Sequence, residues 1–479
     1  MRERDSGGDA VTSPGPAAAP ADLLREIQAF CRRVGIAETT FGRLAVNDGK
    51  LVARLRAGGA VTAASRARIE AFMRDYWTDR FGSRRPLLTQ AEVAARGAAW
   101  EGADKADVQR NFRFFDNRQK YLLFVNTCSE KAVIADRVAA ELRSVEPRPP
   151  ALRLFDAGVG DGTVLSRVLR AAHDRFPLVP FYVVGKEISW EDIRLTLDKM
   201  PDRFMEHPAT ALVLTNLYYR EAPWLTPRPT AERPLVWKEV GLTGSTAHAF
   251  EQQITDLQPQ LSDVWRARVS ATTGVPAYER PVVLVLYRAD HRFMLEGLLP
   301  RPPKIAADFD LVIASQPYRA KASDAFKVHH VLAPLVRALG PGGRLLGVHS
   351  YGSDPGFEII ERVWPDEPPI ENDRHRLLKA LKQELGADAG DYLFSANSDA
   401  RSLFRFDMHT LRGELVGTIG TSTLFAAWNA AIYVAQVEDD RLEAAVKDGR
   451  YLDATDAVLR KHGGLWFNDE SFIVTRRHQ

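Results

Sequence analysis

The stretch Leu154-Phe155-Asp156-Ala157-Gly158-Val159-Gly160-Asp161-Gly162-Thr163 constrains the fold more than any other part of the chain. An apolar run ends in an aspartate, glycines follow at alternate positions, and an amphipathic segment begins at once. This reads as a strand handing over to a helix through a turn with free backbone N–H groups and little side-chain bulk. In an open α/β sheet, nucleotide-like cofactors bind at such turns, at the carboxyl ends of the strands.

The alternation continues beyond the turn. Leu152 to Asp156 reads as a strand, Thr163 to Arg175 as a helix, and Phe181 to Lys186 as a second strand ending at Glu187. Ser189 is placed to cap the next helix, which runs through Ile193, Leu197 and Met200. Ala211 to Leu214 makes a third strand, ending at Thr215-Asn216. After a long interruption, Phe309 to Ala314 opens into Ser315-Gln316-Pro317-Tyr318. A helix over Ala325 to Leu339 then leads through Gly340-Pro341-Gly342-Gly343 into the strand Arg344 to Val348. Strands alternating with helices predict an α/β fold with a doubly wound, mostly parallel sheet.

Near the C-terminus two closures compete: Tyr392–Phe394 with Leu403–Phe406, or Ala431–Val437 with Ser471–Val474. The second is preferred, because the apolar runs Leu465–Phe467 and Phe472–Val474 flank a turn-like Asn468-Asp469-Glu470.

Domain limits follow from composition. Residues 1–21 are rich in Gly, Ala, Pro, Ser and Asp and read as a disordered leader with no signal-peptide core. Residues 22–80 form a small all-helical domain, with a break at Gly35 and Gly58-Gly59 and a cap at Thr62. A linker spans 81–110, and 111–479 holds the main domain, with insertions at about 220–300 and 353–430. In the main domain the aromatics Phe112, Phe114, Phe115 and Tyr121 suit a helix packed before the first strand. The insertion after the third strand suits a lid or substrate wall.

The helical domain holds a helix-turn-helix-like pattern around Gly35 and Thr39-Thr40. Residues 22–76 carry ten Lys/Arg (Arg25, Arg32, Arg33, Arg43, Lys50, Arg54, Arg56, Arg66, Arg68, Arg74) against six Asp/Glu. The stretch reads equally as a DNA contact or as a bundle docking on the main domain or a partner subunit.

Over the whole chain 64 Lys/Arg nearly balance 62 Asp/Glu, unlike a nucleic-acid coat or a polybasic membrane anchor. No apolar run approaches a membrane span, so no membrane partner is expected. Only Cys31 and Cys128 are present, which excludes a disulfide framework and points to a reduced, cytoplasmic protein. His329-His330 has no acid at ligand spacing, and no metal site is expected.

The ordered set of Asp156 with its glycine turn, Glu187, Ser315-Gln316-Pro317-Tyr318 and Gly340-Pro341-Gly342-Gly343 resembles the class I S-adenosylmethionine-dependent methyltransferases. The resemblance covers about Arg153 to Gly352. It implies a seven-stranded Rossmann-like sheet and S-adenosyl-L-methionine as cofactor. On that resemblance, Gly158, Gly160 and Gly162 let the turn approach the cofactor, with Asp156 and Asp161 beside it. Asp156 holds the turn or the cofactor's amino group. Glu187 accepts from the two ribose hydroxyls, and Asn216 lies near the adenine edge. Ser315-Gln316-Pro317-Tyr318 stands where amino-methylating relatives carry Asp/Asn-Pro-Pro-Tyr/Phe, with Ser and Gln replacing the acid or amide and the first Pro. Ser315, counted also among the cofactor contacts, and Tyr318 then face the methyl acceptor, and His349, just past the fifth strand, is the candidate general base.

The reading is a methyltransferase acting on an N or O atom of a small molecule. A DNA-directed methyltransferase or regulator, with nucleic acid as the less favoured partner, and a non-catalytic cofactor-binding assembly protein stand as alternatives. A homo-oligomer is left open.

Overall fold

A computed structural model describes residues 20–34, 37–81, 118–228, 231, 233–269, 276–302, 305–370, 372–410, 412–415 and 417–478. The predicted leader up to residue 19, the break at Gly35, most of the linker and Phe112, Phe114 and Phe115 lie outside these residues. The chain divides into two compact units, Met1–Ala99 and Trp100–Gln479.

In the first unit, α1 (Pro20–Val34), α2 (Glu38–Val46), α3 (Leu51–Arg56) and α4 (Ala63–Phe81) close on one small core. Phe30, Phe41 and Phe72 meet with ring centroids 5.5 to 6.2 Å apart. Thr62 Oγ1 accepts the N–H of Ser65 and so begins α4 where the sequence places it.

In the second unit, α5 (Arg118–Thr127) and α6 (Glu130–Leu142) precede β1 (Leu152–Asp156). Then follow α7 (Thr163–Arg175), β2 (Phe181–Lys186), α8 (Trp190–Asp198), α9 (Met200–Glu206) and β3 (Thr210–Thr215). The side chain of Ser189 caps α8 by accepting from Asp192 N. Next come β4 (Val236–Leu242), α10 (Ala247–Val264), the small pair β5 (Ala267–Val269) and β6 (Pro276–Tyr278), β7 (Val282–Arg288) and β8 (Phe309–Ser315). Helical turns over residues 324–337 lead into β9 (Leu339–Ser350), followed by α11 (Pro355–Val363) and α12 (Arg374–Leu385). The remaining elements are β10 (Tyr392–Ser395), β11 (Leu403–Asp407), α13 (Thr421–Val434), α14 (Asp439–Asp448), α15 (Arg450–His462) and β12 (Trp466–Arg476).

The main sheet runs β10-β12-β9-β8-β1-β2-β3-β7-β4, with β11 on the free half of β12. Its core of β3-β2-β1-β8-β9 is parallel, and β12 enters antiparallel between β9 and β10. Those seven strands match the expected seven-stranded, mostly parallel sheet. Successive residues feed opposite faces: Phe155, Val184, Val213 and Val312 join one core, and Leu154, Val183, Leu212 and Leu311 join the other. A third core gathers α5, α11, α13, α14 and α15 around Phe406, Trp428 and Phe467.

Three expectations change. The insertion after β3 widens the sheet: β7 pairs antiparallel with β3, and β4 pairs parallel with β7. Ala431–Val437 is not a strand but the end of α13 and the turn after it, because a short, mostly apolar run looks alike in either state. Asn468-Asp469-Glu470 is not a turn; it lies inside the continuous strand β12, paired with Ser350 and His349 of β9.

Candidate active site

β1 is flanked by β2 on one side and β8 on the other, all parallel, and the chain winds away from it in both directions. At such a switch point ligands bind by the carboxyl ends of the strands, here those of β1 and β8, where the glycine turn lies. A cavity lined by Arg153, Tyr182, Arg301 and Asp308 sits instead at the edge where β1 and β2 begin.

The three glycines do different work. A Cβ on Gly158 would have only Ser315 O within 4 Å, at 3.9 Å, so the turn is open there. Gly160 has φ +54° and faces the Tyr121 hydroxyl, which would lie 3.0 Å from a Cβ. Gly162 has φ +77°, and a Cβ would press on Thr196 Oγ1 at 2.7 Å and its Cα at 2.8 Å. Gly160 and Gly162 therefore serve backbone conformation and close packing; Gly158 alone opens outward.

The acids also separate. Asp156 is 2% exposed; its Oδ1 accepts from Gly158 N, while Oδ2 has no hydrogen-bond partner. Burial lifts its carboxyl to about 7, with Glu187 adding to the rise and the Gly158 N–H and Lys131 opposing it. Asp161 is committed to the fold. It takes the Thr163 hydroxyl and N–H, the Tyr121 hydroxyl and the Lys199 ammonium. Those contacts hold its carboxyl below the usual range despite burial. Asp161 thus braces the turn beside which the cofactor is expected. Glu187 Oε1 accepts from Ile188 N and Ser189 N, and Oε2 from Gly160 N at 3.1 Å, so the carboxylate ties the second strand end to the glycine turn. Both acceptor sites of Oε1 are thus filled, and Oε2 keeps one for a ligand.

Asn216 also serves the fold. It is fully buried, its amide donates to Arg280 O and accepts from Val282 N, and it pins the end of β3 to the start of β7.

Over the turn lie residues that the sequence does not mark as part of the site. Tyr121 of α5 and Tyr433 of α13 have ring centroids 5.9 Å apart. The Lys131 ammonium sits 5.8 Å from the Tyr121 ring centroid and 3.2 Å from Glu130. Burial opposes the Lys131 charge, but Glu130, with Tyr433 and Asp161, more than offsets it and the lysine stays protonated.

At the ends of β8 and β9 the expected Ser315, Tyr318 and His349 come to one region. Ser315 is partly exposed at the end of β8. Gln316 has φ +47°, a conformation that proline's ring forbids, which explains the absence of the first proline of the related motif. Its amide is gripped between Asp469 Oδ1 at 3.2 Å and Ser350 N. Asp469 is fully buried, its Oδ2 has no hydrogen-bond partner, and burial with Glu130 nearby raises its carboxyl far above the usual range.

Tyr318 Oη lies 2.8 Å from His349 Nδ1, and His349 Nε2 lies 2.9 Å from Glu470 Oε2. Burial keeps His349 below its ordinary pKa in spite of Glu470, and lifts the Tyr318 phenol well above 10. Glu470 stays ionised despite burial, because His349 and Arg374 donate to it. Neutral imidazole beside a carboxylate is thus the resting state. No local signal in the sequence marks Glu470 or Arg374; only strand pairing brings them here.

Among the described residues, no group of His, Cys, Asp and Glu could hold a metal ion, and no helix is long and apolar enough to cross a membrane.

No family model and no curated protein matches this sequence. Among solved structures, a geranyl diphosphate methyltransferase in complex with GPP and sinefungin is similar over 73% of this chain and 83% of its own, at 12% identity and a TM-score of 0.27. The carbon methyltransferase DszA is similar over 70% of each chain, at 14% identity and a TM-score of 0.20. The architecture rests on the strand order itself, which is that of a doubly wound, Rossmann-like α/β sheet.

Proposed function

We propose that this chain is an S-adenosylmethionine-dependent methyltransferase acting on an N–H or O–H group of a small molecule. The observation that carries the reading is the meeting of an open glycine turn, an unpartnered buried carboxylate oxygen and a Tyr–His pair at one switch point.

The residues present fit that cofactor. Asp156 Oδ2 lacks a partner and suits a ligand ammonium, Glu187 Oε2 keeps an acceptor site that suits a ribose hydroxyl, and Gly158 leaves room at the turn. When bound, S-adenosylmethionine supplies a sulfonium methyl group. The protein's share is to orient the acceptor, exclude water and take its proton. Tyr318 is the residue that meets the acceptor proton, handing its own to His349 Nδ1, and Ser315 orients the acceptor from the adjoining strand end.

In the amino-terminal unit Arg54, Arg56 and Arg66 are ion-paired with Asp48, Glu38 and Glu70. That removes three cations from those available to a phosphate backbone and favours the small-molecule reading over the DNA-directed one.

The test is mass spectrometry of a cell extract given the protein and methyl-labelled S-adenosylmethionine. A labelled small molecule that appears only with active protein is expected. Calorimetry showing no S-adenosylmethionine binding would sink the assignment.

A further inference from the structure

We propose that Glu470 and Arg374 are positioning residues that hold His349 with its proton on Nε2, leaving Nδ1 as the acceptor for the Tyr318 hydroxyl. The proton-transfer role rests on the function proposed above; the tautomer stands independently of it.

The chain of contacts is continuous. Glu470 Oε2 takes Arg374 N at 2.7 Å together with His349 Nε2, and Oε1 takes the Arg374 guanidinium at 2.5 Å. Arg374 also donates to Asn397 O and Asp399 Oδ1. Tyr318, His349, Glu470 and Arg374 are at most 8% exposed, whereas the Asp399 side chain is 75% exposed. An ionised carboxylate only accepts, so the imidazole nitrogen facing Glu470 must donate; a neutral ring then has a bare Nδ1.

The charges on the neighbouring elements act on the ring with mixed sign. Tyr318 faces the ring from the loop after β8, and Glu470 faces it from β12. Lys327 and Asp324 of the helical segment before β9 act on it with opposite signs. The Lys327 ammonium lies 5.4 Å from the Tyr318 ring centroid and donates to Ala320 O and Asn372 Oδ1. Arg374 balances the charge of Glu470, so the pair stays ionised without protonating the histidine.

A purely structural clamp between α12 and β12 needs only Arg374 and Glu470. The arrangement goes further and ends on a tyrosine at the switch-point edge. In the transfer, the acceptor X–H forms an X–C bond as the C–S bond breaks and its electron pair stays on sulfur. The X–H proton goes to the Tyr318 oxygen, and the Tyr318 proton goes to His349 Nδ1. The imidazolium faces Glu470 until it loses the proton to water after product leaves.

The test begins with 15N NMR of histidine-labelled full-length protein at neutral pH, with His349 assigned by loss of its signal in His349→Gln. A protonated Nε2 and bare Nδ1 are expected; a protonated Nδ1 in the wild type overturns the proposal. Transfer of labelled methyl from S-adenosylmethionine into a cell extract is then followed against pH. Glu470→Gln should slow transfer by about 10–100-fold and shift the acidic limb of the profile, with sinefungin affinity unchanged within twofold. Arg374→Lys, which keeps the charge and guards against a misfolded first variant, should slow it by about 3–10-fold. Transfer at the wild-type rate in both variants overturns the positioning role. A wild type that transfers nothing yet shows the expected tautomer overturns the proposed reaction, not the tautomer.

Discussion

His349 Nε2 and Glu470 Oε2 lie 2.9 Å apart across 121 residues of chain, and both side chains are shut off from solvent. Glu470 is also the buried counter-charge of Arg374, whose other carboxylate partner, Asp399, is exposed. Glu470→Leu therefore leaves a guanidinium buried with no adequate partner. We expect it to lose about 3–5 kcal/mol in urea unfolding, where Glu470→Gln loses less. A loss below about 1 kcal/mol would contradict the burial argument.

Asp156 sets a pH dependence with a definite sign. Its carboxyl titrates near 7 in the folded protein against an ordinary 3.8, so the native state keeps a proton that the unfolded chain gives up. The contribution is full below about pH 4 and is lost as pH rises through 7. The stability of the wild type relative to Asp156→Asn should fall between about pH 4 and 7 and level off above. Parallel melting curves of the two proteins across that range check it. If an ammonium group supplies the missing partner, S-adenosylmethionine binding near pH 6 releases a proton. Calorimetry in buffers of different ionisation heat would detect it.

Glu187 is both a brace and a candidate ligand contact. Glu187→Ala removes the acceptor for three backbone N–H groups, so a stability loss of about 1–3 kcal/mol should accompany the loss of S-adenosylmethionine binding. Glu187→Gln keeps one oxygen and should fold better while still binding at least tenfold more weakly. Equal affinity in wild type and Glu187→Gln would remove Glu187 from the site.

The glycines give a split result. Gly162→Ala meets Thr196 at 2.7 Å from a backbone with φ +77°, and should destabilise the fold by about 1–3 kcal/mol. Gly158→Ala meets nothing nearer than 3.9 Å, so its melting temperature should hold while cofactor affinity drops. Thermal melts with and without ligand separate the two variants.

The central strands and helices were legible because periodicity, caps and turns agree locally: Asp156 ends β1, Ser189 caps α8, and Glu187 follows β2. What stayed hidden depends on partners distant in sequence. Asn468-Asp469-Glu470 has turn chemistry, yet pairing with β9 holds it extended and buried. Ala431–Val437 has strand chemistry, yet its apolar side chains serve a buried helix end. Asp161 and Asn216 sit where ligand contacts are expected, but Tyr121 and Lys199 in one case and Arg280 and Val282 in the other take them first. Tyr318 and His349 were visible as separate candidates; that they touch, and that Glu470 stands behind them, follows only from strand order.

The position of β12 has a consequence for synthesis. It fills the slot between β9 and β10, both of which leave the ribosome before it. From Ser350 to Arg476 is 126 residues, roughly 6–25 s of translation, during which the β9 edge has no partner. An open, apolar strand edge is a template for wrong pairing, so the nascent chain is most exposed to aggregation while its reading frame is still short of β12.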